Sequence, residues 1–362
     1  MTLRVAILVC MAFLASCDAP ARRADLVFIN GAEPETLDPA IITGQPEGRV
    51  VNALFEGLCA YDQDGKAVPG VAESWEISPD GRLYTFRIRS DAGWSDGRPL
   101  VAGDFVSSWK RTLTPATGSQ YNYQLYPIKN AQAFADGKIT DFSEVGVKAP
   151  DDRTLVVELE NPTPYFLELC AFPTLHPVRV DLIDRVGDDW VKPEHMISNG
   201  AYVLETWRIN DKIRLKKNPH YWNRDKVSLE TVDILPTSDA NVAFNFFASG
   251  LADLVMDKGL APPALLDELK KQPWFHAAPF LGIYFLRYNC ERGPFKDERV
   301  RRAFSLAIDK KRIVEKITRA GELPAQGFVP PGIPGYSGTE GLAFDPESAK
   351  KLMTEAGFPE GR

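Results

Sequence analysis

Apolar and polar residues alternate with a period of two over residues 83–89. Tyr84, Phe86 and Ile88 fall on one face, and Thr85, Arg87 and Arg89 on the other. This is the pattern of a half-buried strand, and Asp80-Gly81 supplies the turn before it. Residues 26–29 are a first strand candidate, closed by the turn signal Asn30-Gly31. Asp151-Asp152 opens a strand over 154–159, which Asn161-Pro162-Thr163-Pro164 stops. Residues 200–204 and 212–216 flank Asn210-Asp211 and form a hairpin-like pair. Residues 231–235 are a strand, Ser238 is the N-cap of a helix through Phe247, Gly250 ends it, and 253–256 is a second strand. That strand–helix–strand order predicts a parallel pair. Residues 280–289 are strongly apolar and predict a further strand.

Elsewhere the period is that of a helix. Asp104 is placed as an N-cap, with Phe105, Val106, Trp109 and Leu113 on one stripe. Asp297 caps a helix whose buried stripe is Val300, Ala303, Phe304, Ala307 and Ile308. Asp309 starts a further helical segment burying Ile313, Val314 and Ile317. Asp345-Pro346-Glu347 starts a last helix with Leu352, Met353 and Ala356 on one face, and Gly357 ends it.

The first residues follow neither period. Arg4 is followed by an apolar run over 5–14, too short to span a bilayer but suited to the core of a secretory signal. Leu14-Ala15-Ser16-Cys17 looks like a bacterial lipobox. It implies cleavage before Cys17, lipidation of that residue and firm anchoring through several acyl chains. Residues 1–16 are then a signal peptide and 17–25 a lipid-anchored tether.

The sequence is 44% hydrophobic and 25% charged, an ordinary globular balance for a chain long enough for two domains. Its net charge of −7 argues against a nucleic-acid partner. Cys59, Cys170 and Cys290 remain after the signal and Cys17. No Cys-x-x-Cys is present, and an exported location permits one disulfide, but apolar surroundings favour buried free thiols. The four histidines never pair at helical ligand spacing, so no metal site and no cofactor are expected. No nucleophile elbow, zinc-protease motif or phosphate-binding glycine loop occurs. The adjacent carboxylates Asp151-Asp152 and Asp188-Asp189 read as solvated loop edges. With the export signal, this favours binding over catalysis, and no catalytic residue is expected.

A series of motifs in order gives the chain its strongest resemblance. They are Glu35-Thr36-Leu37-Asp38-Pro39, Ala53-Leu54-Phe55-Glu56-Gly57-Leu58, Pro69-Gly70-Val71-Ala72-Glu73-Ser74-Trp75, Trp94-Ser95-Asp96-Gly97-Arg98-Pro99 and Asp104-Phe105-Val106-Ser107-Ser108-Trp109. Asn199-Gly200-Ala201-Tyr202, Asn218-Pro219-His220-Tyr221-Trp222 and residues 295–301 continue the series. On these residues the chain resembles the periplasmic oligopeptide-binding proteins of ABC importers, solute-binding family 5. The resemblance implies an α/β, two-lobe periplasmic-binding-protein-like fold (type II, cluster C) with an inserted β-rich domain. It implies a first lobe from 26–51 and 186–275, the insertion at 52–185 and a second lobe at 276–362. The lobes close on a ligand by hinge motion. An extended oligopeptide is held through its backbone, with water absorbing side-chain mismatch.

The resemblance also implies site residues. Thr43, Gly44 and Gln45 match a backbone-contacting loop, Tyr121 an aromatic facing the cleft, and Asn289 and Cys290 a segment of the opposite lobe. The implied partners are the ABC permease and ATPase complex and the membrane through the lipid anchor. The protein is expected as a monomer in the periplasm or at the cell surface. The family continues beyond this chain's end, so the second lobe is expected to be truncated and to leave apolar faces uncovered. Scarce histidines disfavour nickel chelates. A murein peptide or another solute, or a signalling or surface-interaction role on the same fold, are the alternatives.

Overall fold

The computed structural model describes residues 22–361 except 279, 334, 335, 337 and 339, and the chain divides into two compact units, Met1–Leu260 and Ala261–Arg362. The signal segment, Cys17 and the tether up to residue 21 lie outside the described residues. Among the described residues no helix is long and apolar enough to cross a membrane.

The first unit contains a five-stranded sheet in the order β11 (Leu254–Val255), β1 (Leu26–Gly31), β10 (Thr231–Pro236), β9 (Lys212–Lys217) and β8 (Tyr202–Arg208). β8 and β9 form the expected antiparallel hairpin, turned at Asn210 with φ +58°. β10 and β11 both run parallel to β1. They were expected to be direct neighbours, but β1 lies between them. The helix that joins them has a diameter of roughly 10–12 Å, about two strand spacings, so it crosses over one intervening strand naturally.

A four-stranded antiparallel sheet follows, in the order β4 (Ala72–Ile77), β5 (Leu83–Ile88), β7 (Thr154–Glu158) and β6 (Val147–Asp151). β5 buries Tyr84, Phe86 and Ile88, as its alternation requires. A short ribbon pairs β2 (Cys59–Tyr61) with β3 (Ala67–Pro69). Helix α1 (Gln45–Leu54) buries Val50, Val51 and Leu54. Helix α2 (Ala102–Leu113) buries Phe105, Trp109 and Leu113 as expected, while Val106 is only half-buried. It starts two residues before the expected cap. Asp104 lies inside its first turn and reaches back to accept from the Val101 N–H at 3.0 Å and the Trp94 indole N–H at 2.9 Å. Helix α3 (Phe166–Leu169) seats Phe166 edge-on against Tyr84 at 5.0 Å. Helix α4 (Ala240–Ala248) is capped by Asp239, not Ser238. One Asp239 oxygen accepts from the N–H groups of Asn241 at 2.8 Å and Val242 at 2.9 Å, a fork that takes two orphan donors at once.

The second unit has no strand among its described residues. Helices α5 (Glu298–Ala307) and α6 (Pro346–Glu355) start at the expected caps, Asp297 and Asp345. Ala303, Leu306 and Ala349 form their small core, with Leu352 and Met353 packed on it. Three expectations are corrected here. Residues 280–289 form no strand, and Tyr284 is 93% exposed. An apolar run becomes a strand only where a neighbouring edge takes its N–H and C=O groups. On α5 the stripe is Val300, Ala303 and Leu306, because α6 covers that side, while Phe304 and Ala307 are exposed. Phe304 instead meets Phe295 at 5.1 Å and Tyr288 at 6.1 Å. Ile313 and Ile317 are exposed and Val314 is only half-buried, on a π-helical turn (Ile313–Thr318).

Candidate functional site

The end of β1 sets the position of α1. The Asn30 side chain is fully buried and donates from Nδ2 to the Pro46 carbonyl at 2.9 Å. Arg49, one turn further on, donates to Asn30 Oδ1 and to its carbonyl, both at 2.6 Å. The chain between β1 and α1 is fixed at two more points. Glu33 accepts from the Trp207 indole at 2.7 Å and the Asn210 N–H at 3.0 Å. Asp38 is 2% exposed and faces Arg111 of α2 through both oxygens, at 3.1 and 2.5 Å, while Oδ1 also accepts from the Ala40 N–H at 2.9 Å. A bidentate pair of this kind fixes direction as well as distance.

Thr43, Gly44 and Gln45 are the outcome of this bracing. Gly44 is the N-cap of α1, in extended backbone with φ −99° and ψ 160°, and no side chain caps the helix. Thr43 and Gln45 are exposed. Glu47 is buried beneath them, with Oε1 accepting from the Glu35 N–H at 3.3 Å. A Cβ on Gly44 would meet the Glu47 carboxylate, which would have to move aside.

The structure brings Tyr121 to this loop. Its hydroxyl donates to the Thr43 carbonyl at 3.2 Å. Its ring packs edge-on against Tyr123 at 5.9 Å and Phe172 at 5.8 Å. The result is braced main chain, extended at Gly44 and turning helical at Gln45, beside an aromatic wall. Such a surface offers backbone hydrogen bonds and flat apolar contact without a fixed side-chain code. Sequence reasoning did not single out Tyr123, Phe172 or the Arg111 brace. Spacing carries no signal for them, since each reaches the loop from a distant segment.

Asn289 and Cys290 belong to the second unit and are both exposed. Asn289 Oδ1 accepts from the Glu291 N–H at 3.0 Å, and the Cys290 thiol donates to the Tyr288 carbonyl at 3.5 Å. The expectation of a buried Cys290 is corrected, because it follows the unpaired 280–289 run. Cys59 and Cys170 are buried, as expected.

The other motifs form the supporting structure. Glu56 is half-buried and accepts from the Tyr221 hydroxyl and the Trp222 indole, both at 2.6 Å, while Arg89 lies 3.7 Å over the Trp222 ring. Burial raises the Glu56 carboxyl above the usual range against the pull of these donors. Asn199 closes the same knot, accepting from the Glu56 N–H at 3.2 Å and donating to its carbonyl at 2.9 Å. Gly97, at φ +87°, makes the turn that brings Arg98 onto Asp104.

Comparison with known proteins places these features in a larger group. The family model described as bacterial extracellular solute-binding proteins, family 5 Middle, matches residues 66–362. The periplasmic oligopeptide-binding protein OppA of Escherichia coli (strain K12) is 40% identical over 93% of this chain. The probable deoxycholate-binding periplasmic protein YgiS of the same organism is 39% identical over 91% of it. The chain spans 63% of the first relative's length and 62% of the second's. Among solved structures, a periplasmic oligopeptide-binding protein of an oligopeptide ABC transporter from Borrelia burgdorferi superposes with a TM-score of 0.87 at 34% identity. That match covers 94% of this chain and 68% of the other.

Proposed function

Because the chain belongs to the bacterial extracellular solute-binding proteins of family 5 and carries their two-lobe α/β fold, we propose that it captures oligopeptides outside the cytoplasm and hands them to the permease and ATPase of an ABC importer. It is a binding protein, not an enzyme. The observation that carries this reading is the braced 43–45 main chain with Tyr121 hydrogen-bonded to it. An extended peptide would add its backbone to this stretch and lay side chains against Tyr121, Tyr123 and Phe172, so recognition would be tolerant of sequence. Thr43, Gly44, Gln45 and Tyr121 are the proposed contacts of the first unit, and Asn289 and Cys290 those of the second. The domain reading proposed with it is a first lobe from 26–51 and 186–275, an inserted β-rich domain at 52–185 and a second lobe at 276–362. The proposed address is the periplasm or cell surface, with Cys17 lipidated and the protein monomeric.

The test is thermal unfolding of the protein with and without a pool of mixed-sequence oligopeptides. A ligand that binds only the native state raises the midpoint. We expect an upward shift with the pool, and about a tenfold weaker peptide affinity in Tyr121→Ala, which corresponds to about 1.4 kcal/mol. An unmoved midpoint with every peptide sinks the oligopeptide reading. The similarity to a probable deoxycholate-binding protein supports a second ligand class for the same aromatic wall. A shift with deoxycholate alone would select it.

A further inference from the structure

Cys59 opens β2 and Cys170 follows α3, and the fold places them side by side. Both side chains are fully buried in the first unit's core. The Cys59 N–H donates to the Cys170 carbonyl at 3.4 Å. Two residues on, the Tyr61 hydroxyl donates to the Glu168 carbonyl at 2.7 Å, so β2 and residues 168–170 run alongside each other. Gly57 permits this approach, since a Cβ there would run into the Cys170 carbonyl. The backbone hydrogen bond makes the two residues neighbours, and a disulfide requires Cα atoms roughly 4.4–6.8 Å apart.

We propose that Cys59 and Cys170 form a structural disulfide when the chain folds in an oxidising compartment. The proposal rests on the extracytoplasmic reading for its oxidant, a disulfide donor of the glutathione or thiol-oxidoreductase class. The thiolate of one cysteine attacks the donor disulfide, forming a mixed disulfide and releasing one donor thiolate. The second cysteine, deprotonated, attacks the mixed disulfide and releases the other donor thiolate. The protein loses two electrons and two protons, and the donor becomes two thiols. Burial disfavours the Cys170 thiolate and keeps donors away from both sulfurs, so the exchange belongs to the period before the core closes. The bond closes a loop of about 110 residues that contains the whole four-stranded sheet. Cys290, exposed, is left unpaired with either of them.

The deciding experiment unfolds and reduces the full chain, refolds it in a mixture of oxidised and reduced glutathione, and alkylates free thiols in denaturant before peptide mass mapping. We expect one linked peptide pair, Cys59 to Cys170. The linked protein should melt roughly 5–10 °C above the same protein kept reduced. Alkylation of both Cys59 and Cys170, or linkage of either to Cys290, overturns the proposal. An unchanged melting midpoint on linkage overturns its structural role. Glutathione supplies the oxidant directly, so this result does not depend on where the protein resides. Mapping the protein recovered from its native cell then tests the location separately.

Discussion

His176 sits where protonation is expensive. Its ring is buried, with Nε2 3.3 Å from the Ala171 carbonyl and Nδ1 without a hydrogen-bond partner. Burial pushes its pKa down to about 4. Above about pH 6.5 the ring is neutral in both folded and unfolded chains, and it contributes nothing to pH dependence. Between 6.5 and about 4 the unfolded chain binds a proton that the folded one refuses, so stability falls as the solution is acidified, by roughly 3 kcal/mol in all. We expect urea unfolding at pH 7, 5.5 and 4.5 to show this loss, and His176→Gln to flatten the profile. A variant with the parent's full acid sensitivity would remove His176 as the cause. The sequence gives reasons to expect His176 not to ligate metal, but nothing in it reveals burial beside Gly57 and Ala171. The same holds for Asp38 with Arg111 and for Cys59 with Cys170. Each residue's type is informative, but its partner is chosen by the fold.

At the scale of elements, local chemistry was legible wherever a segment could satisfy itself. The β8–β9 hairpin, the buried face of β5 and the caps Asp297 and Asp345 follow from residues a few positions apart. Errors of one or two residues arose where two acceptors compete. Ser238 and Asp239 are both capable caps, and the carboxylate wins by serving two N–H groups. Asp239→Ala should therefore cost about 1 kcal/mol in chemical denaturation, and Ser238→Ala only a few tenths. The reverse order would restore the sequence-based assignment. Residues 280–289 failed for a different reason. Their composition suits a strand, but a strand is a property of a pair, and pairing cannot be read from one segment.

At the scale of the molecule the two units differ in how much apolar surface they bury. The first has a continuous core running through both larger sheets, including Trp94, Trp109 and Trp190. The second buries far fewer apolar side chains, among them Leu266, Leu269, Val300, Ala303, Leu306 and Ala349, and leaves Tyr284, Leu286, Ile317 and Phe328 more than half exposed. Few buried contacts mean low local stability. Hydrogen exchange should accordingly find the amides of β1 and β5 protected far longer than those of α5, and equal protection would contradict this. The family was legible because its motifs are knots such as Glu56 with Tyr221, Trp222 and Asn199, where several separated residues must agree for the fold to close. The surface proposed to contact peptide was less so, since recognition through backbone would leave little mark on side chains. β1 pairs on both sides with strands that come late in the chain. The earliest strand to be synthesised has to wait for partners at 231–236 and 254–255. On the order of 200 residues must follow it before either neighbour exists, and the chain entropy of that wait opposes premature closure. Order of synthesis and order of assembly are thus reversed for this strand, which leaves it threadable until the first unit is almost complete.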